Sequence, residues 1–394
     1  MAFAFRHQPL KALYLFGTIV YLLGSLPVWV VLAAIPYTRP RRTWSFNRTL
    51  IARIARVYCN LLWDTGILPP TPLSEYEPNA KTLGFVWVKA TPELIVGEIS
   101  ELAEKNEVKA ERTGGFWFGP RGPDGEVGQR ASSDEKVVYH LHGGAHVMGT
   151  SRPGGDQKDN FAGCLQHLGP KVRVFGLEYR VSSAPPFTAA NPFPASLIDA
   201  VAGYRYLVGD VGFEPRNIIL SGDSAGGGIA INLARYIATA NLSALPRPGG
   251  LILSSPTADW AQTHVGPESS MVRNSSTDVV HKILESGYTL RALVGRFPEE
   301  WGAKSAWISP GGLRAEWEPG MFAGFPRTAI VAGGAEYTLD AIHTFYKRLV
   351  KDNGKDHIML IEPVDCTHDP LVLTLNEPER TEAFKQLAAW SKTL

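Results

Sequence analysis

With 394 residues, 44% of them hydrophobic and 20% charged, the chain has the make-up of a soluble catalytic domain carrying extra material. One α/β domain takes roughly 250–300 residues, so about 100 are left for a leader, a cap or insertions. Thirty-nine basic against 38 acidic residues leave a formal charge of +1, which gives nucleic acid or an acidic polymer no long-range attraction, and a small neutral substrate fits better. Three scattered cysteines, Cys59, Cys164 and Cys366, exclude a disulfide framework and a Cys-x-x-Cys metal site.

From Ala12 to Tyr37 no side chain is charged. About 20 apolar residues span a bilayer, and Gly24 and Pro27 are tolerated in lipid, so the run predicts an uncleaved membrane anchor occupying residues 1–42. Basic residues flank it, Arg6 and Lys11 before, Arg39, Arg41, Arg42 and Arg48 after. The heavier cluster puts the following domain in the cytosol. The Asn-x-Ser/Thr triplets at Asn47, Asn241 and Asn274 point the other way, since glycosylation needs the lumen, and the topology stays open. A single-pass anchor in the endoplasmic reticulum is the expected address. Next, Leu50, Ile54, Val57, Tyr58 and Leu61 share one helical face with Arg53, Arg56 and Asn60 opposite. That pattern fits a cap helix packed on the core and a helix in the membrane interface equally well. Residues 43–130 are read as a cap or N-terminal helical region and 131–394 as the catalytic core, with an insertion at about 260–325.

Within that core, a strand-like VVYHL runs into His142-Gly143-Gly144-Ala145-His146. Acyl transfer builds negative charge on a carbonyl oxygen, and backbone N–H groups must already face it. Gly143 and Gly144 are the expected donors, joined by the Ala225 amide, with His142 bracing the loop. His140, His142 and His146 lack a nearby carboxylate or cysteine and are not read as a metal site. Farther on, NIIL passes through Gly222-Asp223-Ser224-Ala225-Gly226 into GIAINLARYIATA. A strand, a tight glycine-flanked turn and a helix are the setting a G-x-S-x-G nucleophile needs, which makes Ser224 the expected nucleophile.

Taken together, HGGAHVMG, GLEYRVS, PFPASLIDAVAGYRYLV, GDSAGG and PGGLILSSPTADW resemble the hormone-sensitive-lipase-like α/β-hydrolases, over roughly residues 136–375. Within that family the chain is most similar to membrane-anchored fungal enzymes of the steryl acetyl hydrolase type. The resemblance implies an α/β-hydrolase fold: a mostly parallel central sheet flanked by helices, with a helical cap. Two positions depart from the pattern, Ala145 for a third glycine and His146 for an aromatic residue, and both bear on the acyl pocket and the backbone donors.

The family order is serine, acid, histidine. After the strand-like TAIVAGG comes Glu336, read as the acid, with Asp340 as its rival in a first helical turn. After HIMLIEPV comes His368, read as the base; His343 falls inside a helix and His357 opens a strand. Asp365 and Asp369 are expected to be solvated neighbours and Cys366 a buried filler. Trp301, Trp307, Trp317 and Phe322 line a pocket or anchor the cap. No cofactor is expected. The expected activity is serine-dependent hydrolysis of a carboxylic ester through an acyl-enzyme. The resemblance and the anchor point to a small hydrophobic ester, such as an acetylated sterol or terpenoid. An acyltransferase using the same residues and a non-catalytic receptor for a hydrophobic ligand are the alternatives.

Overall fold

Short runs rich in β-branched and aromatic residues supply the eight strands of one sheet. They are β1 (Phe85–Val88), β2 (Thr113–Phe118), β3 (Lys136–Leu141), β4 (Val172–Glu178), β5 (Ile218–Asp223), β6 (Gly250–Ser254), β7 (Arg327–Val331) and β8 (Ile358–Ile361). The computed structural model describes residues 2–394. The strand order is β1-β2-β4-β3-β5-β6-β7-β8; β1 and β2 are antiparallel, and everything from β4 to β8 is parallel. This is the mostly parallel, helix-flanked sheet expected of an α/β hydrolase.

Both sheet faces are covered, and side-chain alternation along β3 divides them. Val137, Tyr139 and Leu141 enter the larger core, which takes in Leu197, Val201, Ile229, Leu233 and Ile342. Those residues come from α5 (Ala195–Arg205), α6 (Ser224–Ala240) and α7 (Leu339–Asn353). Val138 points the other way, with Val174 and Ile219, onto Phe161, Phe384, Leu387 and Trp390. These side chains belong to α4 (Lys158–His167) and α8 (Glu379–Ser391). The remaining long helices are α1 (Leu10–Ala34), α2 (Phe46–Thr65) and α3 (Gly97–Lys105).

Two domain expectations need correction. Residues 43–130 are not a purely helical region, because β1 and β2 belong to the main sheet. Their signal is weak in sequence: four and six residues long, at an antiparallel edge, with two glycines in TGGFWF. Nor is the 1–42 segment separate from the core, since Phe3 is fully buried against Trp63, Phe187 and Tyr288. Helix α1 itself is 25 residues long with a mean hydropathy of 2.1 over an 18-residue window, enough to cross a membrane. Its Leu13, Phe16, Ile19, Leu23, Val28 and Val31 are exposed. Both ends are tied down: the Tyr14 hydroxyl donates to Asp64, and Arg39 donates to the Ala33 and Trp44 carbonyls.

Between β6 and β7 lie four short helices, Ser270–Arg273, His281–Glu285, Tyr288–Val294 and Glu299–Lys304. The tryptophans of this insertion pack it in place. Trp301 stacks on Phe297 at 4.3 Å, Arg235 of α6 lies 3.8 Å over Trp307, and Arg348 of α7 faces Trp317. The anchoring role expected as one of two alternatives is the one these contacts support.

Candidate active site

Ser224 follows directly on β5 and begins α6 with φ +50°, a left-handed value that costs a non-glycine residue about 1 kcal/mol or more. The turn is that tight because α6 starts directly against β3: a Cβ on Gly226 would lie 2.0 Å from the Leu141 carbonyl oxygen. The strained turn lifts Ser224 to the C-terminal edge of the sheet, where its Oγ lies 2.8 Å from His368 Nε2. His368 Nδ1 in turn donates to Glu336 Oε2 at 2.8 Å. Serine, imidazole and carboxylate thus form a continuous hydrogen-bonded chain from loops after β5, β8 and β7. Thr257, whose Oγ1 is 3.4 Å from Ser224 Oγ and whose amide donates to the Ser224 carbonyl, closes the other side.

Asp340, the rival acid, lies elsewhere. Its carboxylate accepts from the Ser270 amide at 2.8 Å and pairs with Arg273 at 3.5 Å, in the first turn of α7. Glu336 is fully buried, accepting from the Gly333 amide (2.9 Å) and the Thr338 hydroxyl (3.2 Å) as well as from His368.

The oxyanion loop follows β3, and here one expected donor is taken. The Gly143 amide donates to Asp223 Oδ1 at 2.9 Å, so it is not free to meet a substrate oxygen. Asp223, unassigned in the sequence reading although it sits inside GDSAGG, also accepts from His140 Nε2 (2.9 Å) and Gln157 Nε2 (3.1 Å). One buried carboxylate therefore fastens the oxyanion loop to the elbow. The Gly144 and Ala145 amides have no partner among the described residues, and they follow one another through a turn with φ +116° and +55°. Ala145 thus adopts the left-handed backbone that a third glycine would take more easily. His146, also left-handed, stands edge-on against Trp260 at 5.5 Å, filling the aromatic position as an aromatic ring would. His142 Nδ1 donates to the Gly143 carbonyl at 2.7 Å while its ring stacks on Tyr179, whose hydroxyl donates to the His142 carbonyl. Burial brings His142 down to about 4 and His146 to about 3, so both rings are neutral. The three histidines do not converge: β3 ends at Leu141, and each ring has a different set of neighbours.

The loops carrying acid and base are joined to each other and to the N-terminal region. The Ala335 amide donates to the Cys366 carbonyl at 2.8 Å and the Gly334 amide to the Pro363 carbonyl at 3.0 Å. Arg41 donates to the Gly334 carbonyl (3.2 Å) and Asn274 Oδ1 (2.7 Å), Trp44 Nε1 to the Asp365 carbonyl (2.8 Å), and Arg48 to the Leu375 and Glu377 carbonyls and to Glu379. Asn274 Nδ2 donates to the Glu336 carbonyl at 2.8 Å; with its side chain buried there, this Asn-x-Ser triplet cannot accept a glycan in the folded chain. Cys366 is fully buried, and burial pushes its thiol up to about 12, as suits an inert filler.

Asp369 corrects another expectation. It is buried, not solvated, with its amide on Ser255 Oγ at 2.9 Å and its carboxylate 3.5 Å from His368 Nε2. A left-handed φ of +54° turns it inward, which no sequence pattern signalled. Burial alone would lower the His368 pKa, but the Asp369 and Glu336 carboxylates outweigh it and lift the imidazole to about 10. Asp278 adds to this from behind Glu336. Asp278, Glu336 and His368 bring ligand-type atoms within 4.8 Å of one another. Those atoms are already engaged: Asp278 accepts from the Val279, Val280 and Tyr337 amides, and Glu336 from His368.

A family model described as the alpha/beta hydrolase fold matches residues 138–369, more than half of the chain, from within β3 to Asp369. The chain belongs to the α/β-hydrolase family. Its oxyanion and elbow motifs, HGGAHVMG and GDSAGG, resemble those of the hormone-sensitive-lipase-like members. It is 33% identical over 131 residues to an acetyl-hydrolase of Streptomyces hygroscopicus, covering 33% of this chain and 39% of that one. It is 24% identical over 137 residues to steryl acetyl hydrolase 1 of Saccharomyces cerevisiae, covering 35% and 30%. These matches span less than half the length of either relative. The fold is shared with carboxyl esterase 2 of the mycorrhizal fungus Tuber melanosporum, at 17% identity and a TM-score of 0.57 over 79% of this hydrolase and 86% of the other.

Proposed function

We propose that this α/β hydrolase cleaves carboxylic esters through an acyl-enzyme on Ser224, with His368 as general base and acid and Glu336 orienting the imidazole. The observation that carries this reading is the unbroken relay from Ser224 Oγ to His368 Nε2 and from His368 Nδ1 to Glu336, at 2.8 Å each. In the cycle, neutral His368 takes the Ser224 proton as Oγ attacks the ester carbonyl. The developing oxyanion is met by the amides of Gly144, Ala145 and Ala225, the last at the N-terminus of α6, where the helix dipole also favours negative charge. The imidazolium gives its proton to the leaving alcohol, and water then repeats the two steps on the acyl-enzyme.

For the substrate we infer a short acyl group, such as acetyl, on a hydrophobic alcohol of the sterol or terpenoid kind. Support comes from the names of the acetyl-hydrolase relatives and from α1, whose exposed apolar face suits a membrane anchor near such a substrate. A single-pass anchor in the endoplasmic reticulum belongs to the same proposal. A fluorophosphonate probe labels the wild-type chain and not Ser224→Ala; labelling of the variant at wild-type intensity overturns the nucleophile. Hydrolysis rates across acetylated sterols, long-chain esters and aryl esters test the substrate class, and a preference for long acyl chains overturns it.

A further inference from the structure

Helices α1 and α2 line a half-open cavity of about 760 Å³ that also reaches Trp44 and Ser276 of the domain. One wall is built by Leu13, Tyr14, Gly17, Thr18, Tyr21 and Trp29 of the membrane-length helix, mostly apolar because the Tyr14 and Thr18 hydroxyls are spent on Asp64 and the Tyr14 carbonyl. The opposite wall carries Arg53, Arg56 and Asn60 of α2. Among the described residues neither arginine has a carboxylate within ion-pair distance. Arg56 donates to the Ser275 carbonyl and meets His281 Nε2 at 3.3 Å, a ring that burial, with Arg56 and Lys282 beside it, holds at about 4 and therefore neutral. Asp278 and Glu285 act on Arg56 only from farther away, and Asp278 is occupied by three backbone amides. Arg53 Nε and Asn60 Oδ1 are buried without any partner.

Cations are costly to enclose without a counter-anion, and guanidinium pairs favour phosphate because their donors match its oxygens two at a time. A volume in the range of small-molecule sites, roughly 300–1,000 Å³, with one cationic and one aliphatic-aromatic wall, has the chemistry of a phospholipid's polar end and the start of its chains. We propose that this cavity is a binding site for an anionic glycerophospholipid, with the phosphate on Arg53 and Arg56 and the acyl chains along Leu13, Gly17 and Tyr21. The proposal rests on α1 reaching a membrane and adds a lipid preference to it.

The test uses the full chain in a nonionic detergent, mixed with phosphatidylcholine and phosphatidylinositol and repurified, with the retained lipid measured by mass spectrometry. Wild type retains phosphatidylinositol over phosphatidylcholine. The double variant Arg53→Gln/Arg56→Gln loses that preference by at least about tenfold, two charge-assisted contacts being removed. It still takes the fluorophosphonate label and floats with phosphatidylcholine vesicles as wild type does. Should the double variant fail to fold, Arg53→Gln alone carries the test, because Arg53 makes no bond within the chain. Equal retention by wild type and variant overturns the site, as does displacement of the lipid by inorganic phosphate alone, which would make it a phosphate site. Failure to float with any vesicle overturns the anchor instead, and selective retention in detergent then still supports the lipid site.

Discussion

Ser224 and the oxyanion loop are held by neighbours on the sheet, whereas Glu336 and His368 sit on loops held by side chains from the far end of the chain. Asp223 binds β3's His140 and the Gly143 amide directly. The Gly334 and Asp365 carbonyls are gripped by Arg41 and Trp44, 293 and 321 residues away in sequence. The nucleophile half is therefore a property of the α/β core, and the acid–base half depends on a segment that also carries the apolar helix. The lesson is that the N-terminal region is a structural part of the site, so a change there reaches the imidazole through hydrogen bonds.

This contrast can be broken by mutation. Glu336→Gln keeps the shape but removes the charge that stabilises the imidazolium, and kcat for an aryl acetate is expected to fall about 10⁴-fold. Loss of less than tenfold would make Glu336 structural. Asp223→Ala strands His140 and the Gly143 amide in a buried place; we expect about 3 kcal/mol of lost stability in urea titration, with fluorophosphonate labelling slowed. Arg48→Ala tests the other half. It removes donors to the Leu375, Glu377 and Asp365 carbonyls and the pairing with Glu379, and about 2 kcal/mol of stability should go, with kcat falling more than KM rises. An unchanged kcat with full stability loss would show that the tether only stabilises.

A smaller effect concerns pH. A protonated His368 cannot accept the Ser224 proton, so activity rises with pH through the raised imidazole pKa. Asp369→Asn removes one of the three carboxylates that raise the ring's pKa, and the acid limb of kcat/KM should move down toward the ordinary imidazole value of about 6.5. The linked stability has the opposite sense to that of a depressed carboxylate: it is fully present below about 6.5 and lost as pH rises toward about 10. In Asp369→Asn that loss should shrink and shift to lower pH in thermal melts. The smallest effect belongs to Asp340→Asn, which leaves the relay untouched; kcat/KM within about twofold of wild type is expected, and a larger drop would reopen the choice of acid.

The sequence by itself marked the nucleophile turn and the oxyanion loop, because each depends on a local backbone requirement, a strand running into a glycine-containing turn, that residue types encode directly; the order of acid and base came with the family resemblance. It also determined the apolar helix, whose length and lack of charge need no partner to be read. Only the tertiary structure decided that Gly143's amide belongs to Asp223, that Asp369 turns inward beside His368, and that Asn274 is buried behind Glu336. It likewise decided that β1 and β2 join the sheet and that Arg41, Trp44 and Arg48 clamp the catalytic loops. These depend on which backbone groups remain unpaired after the sheet forms and which distant side chains reach them, and a hydrogen bond across three hundred residues leaves no mark in sequence spacing.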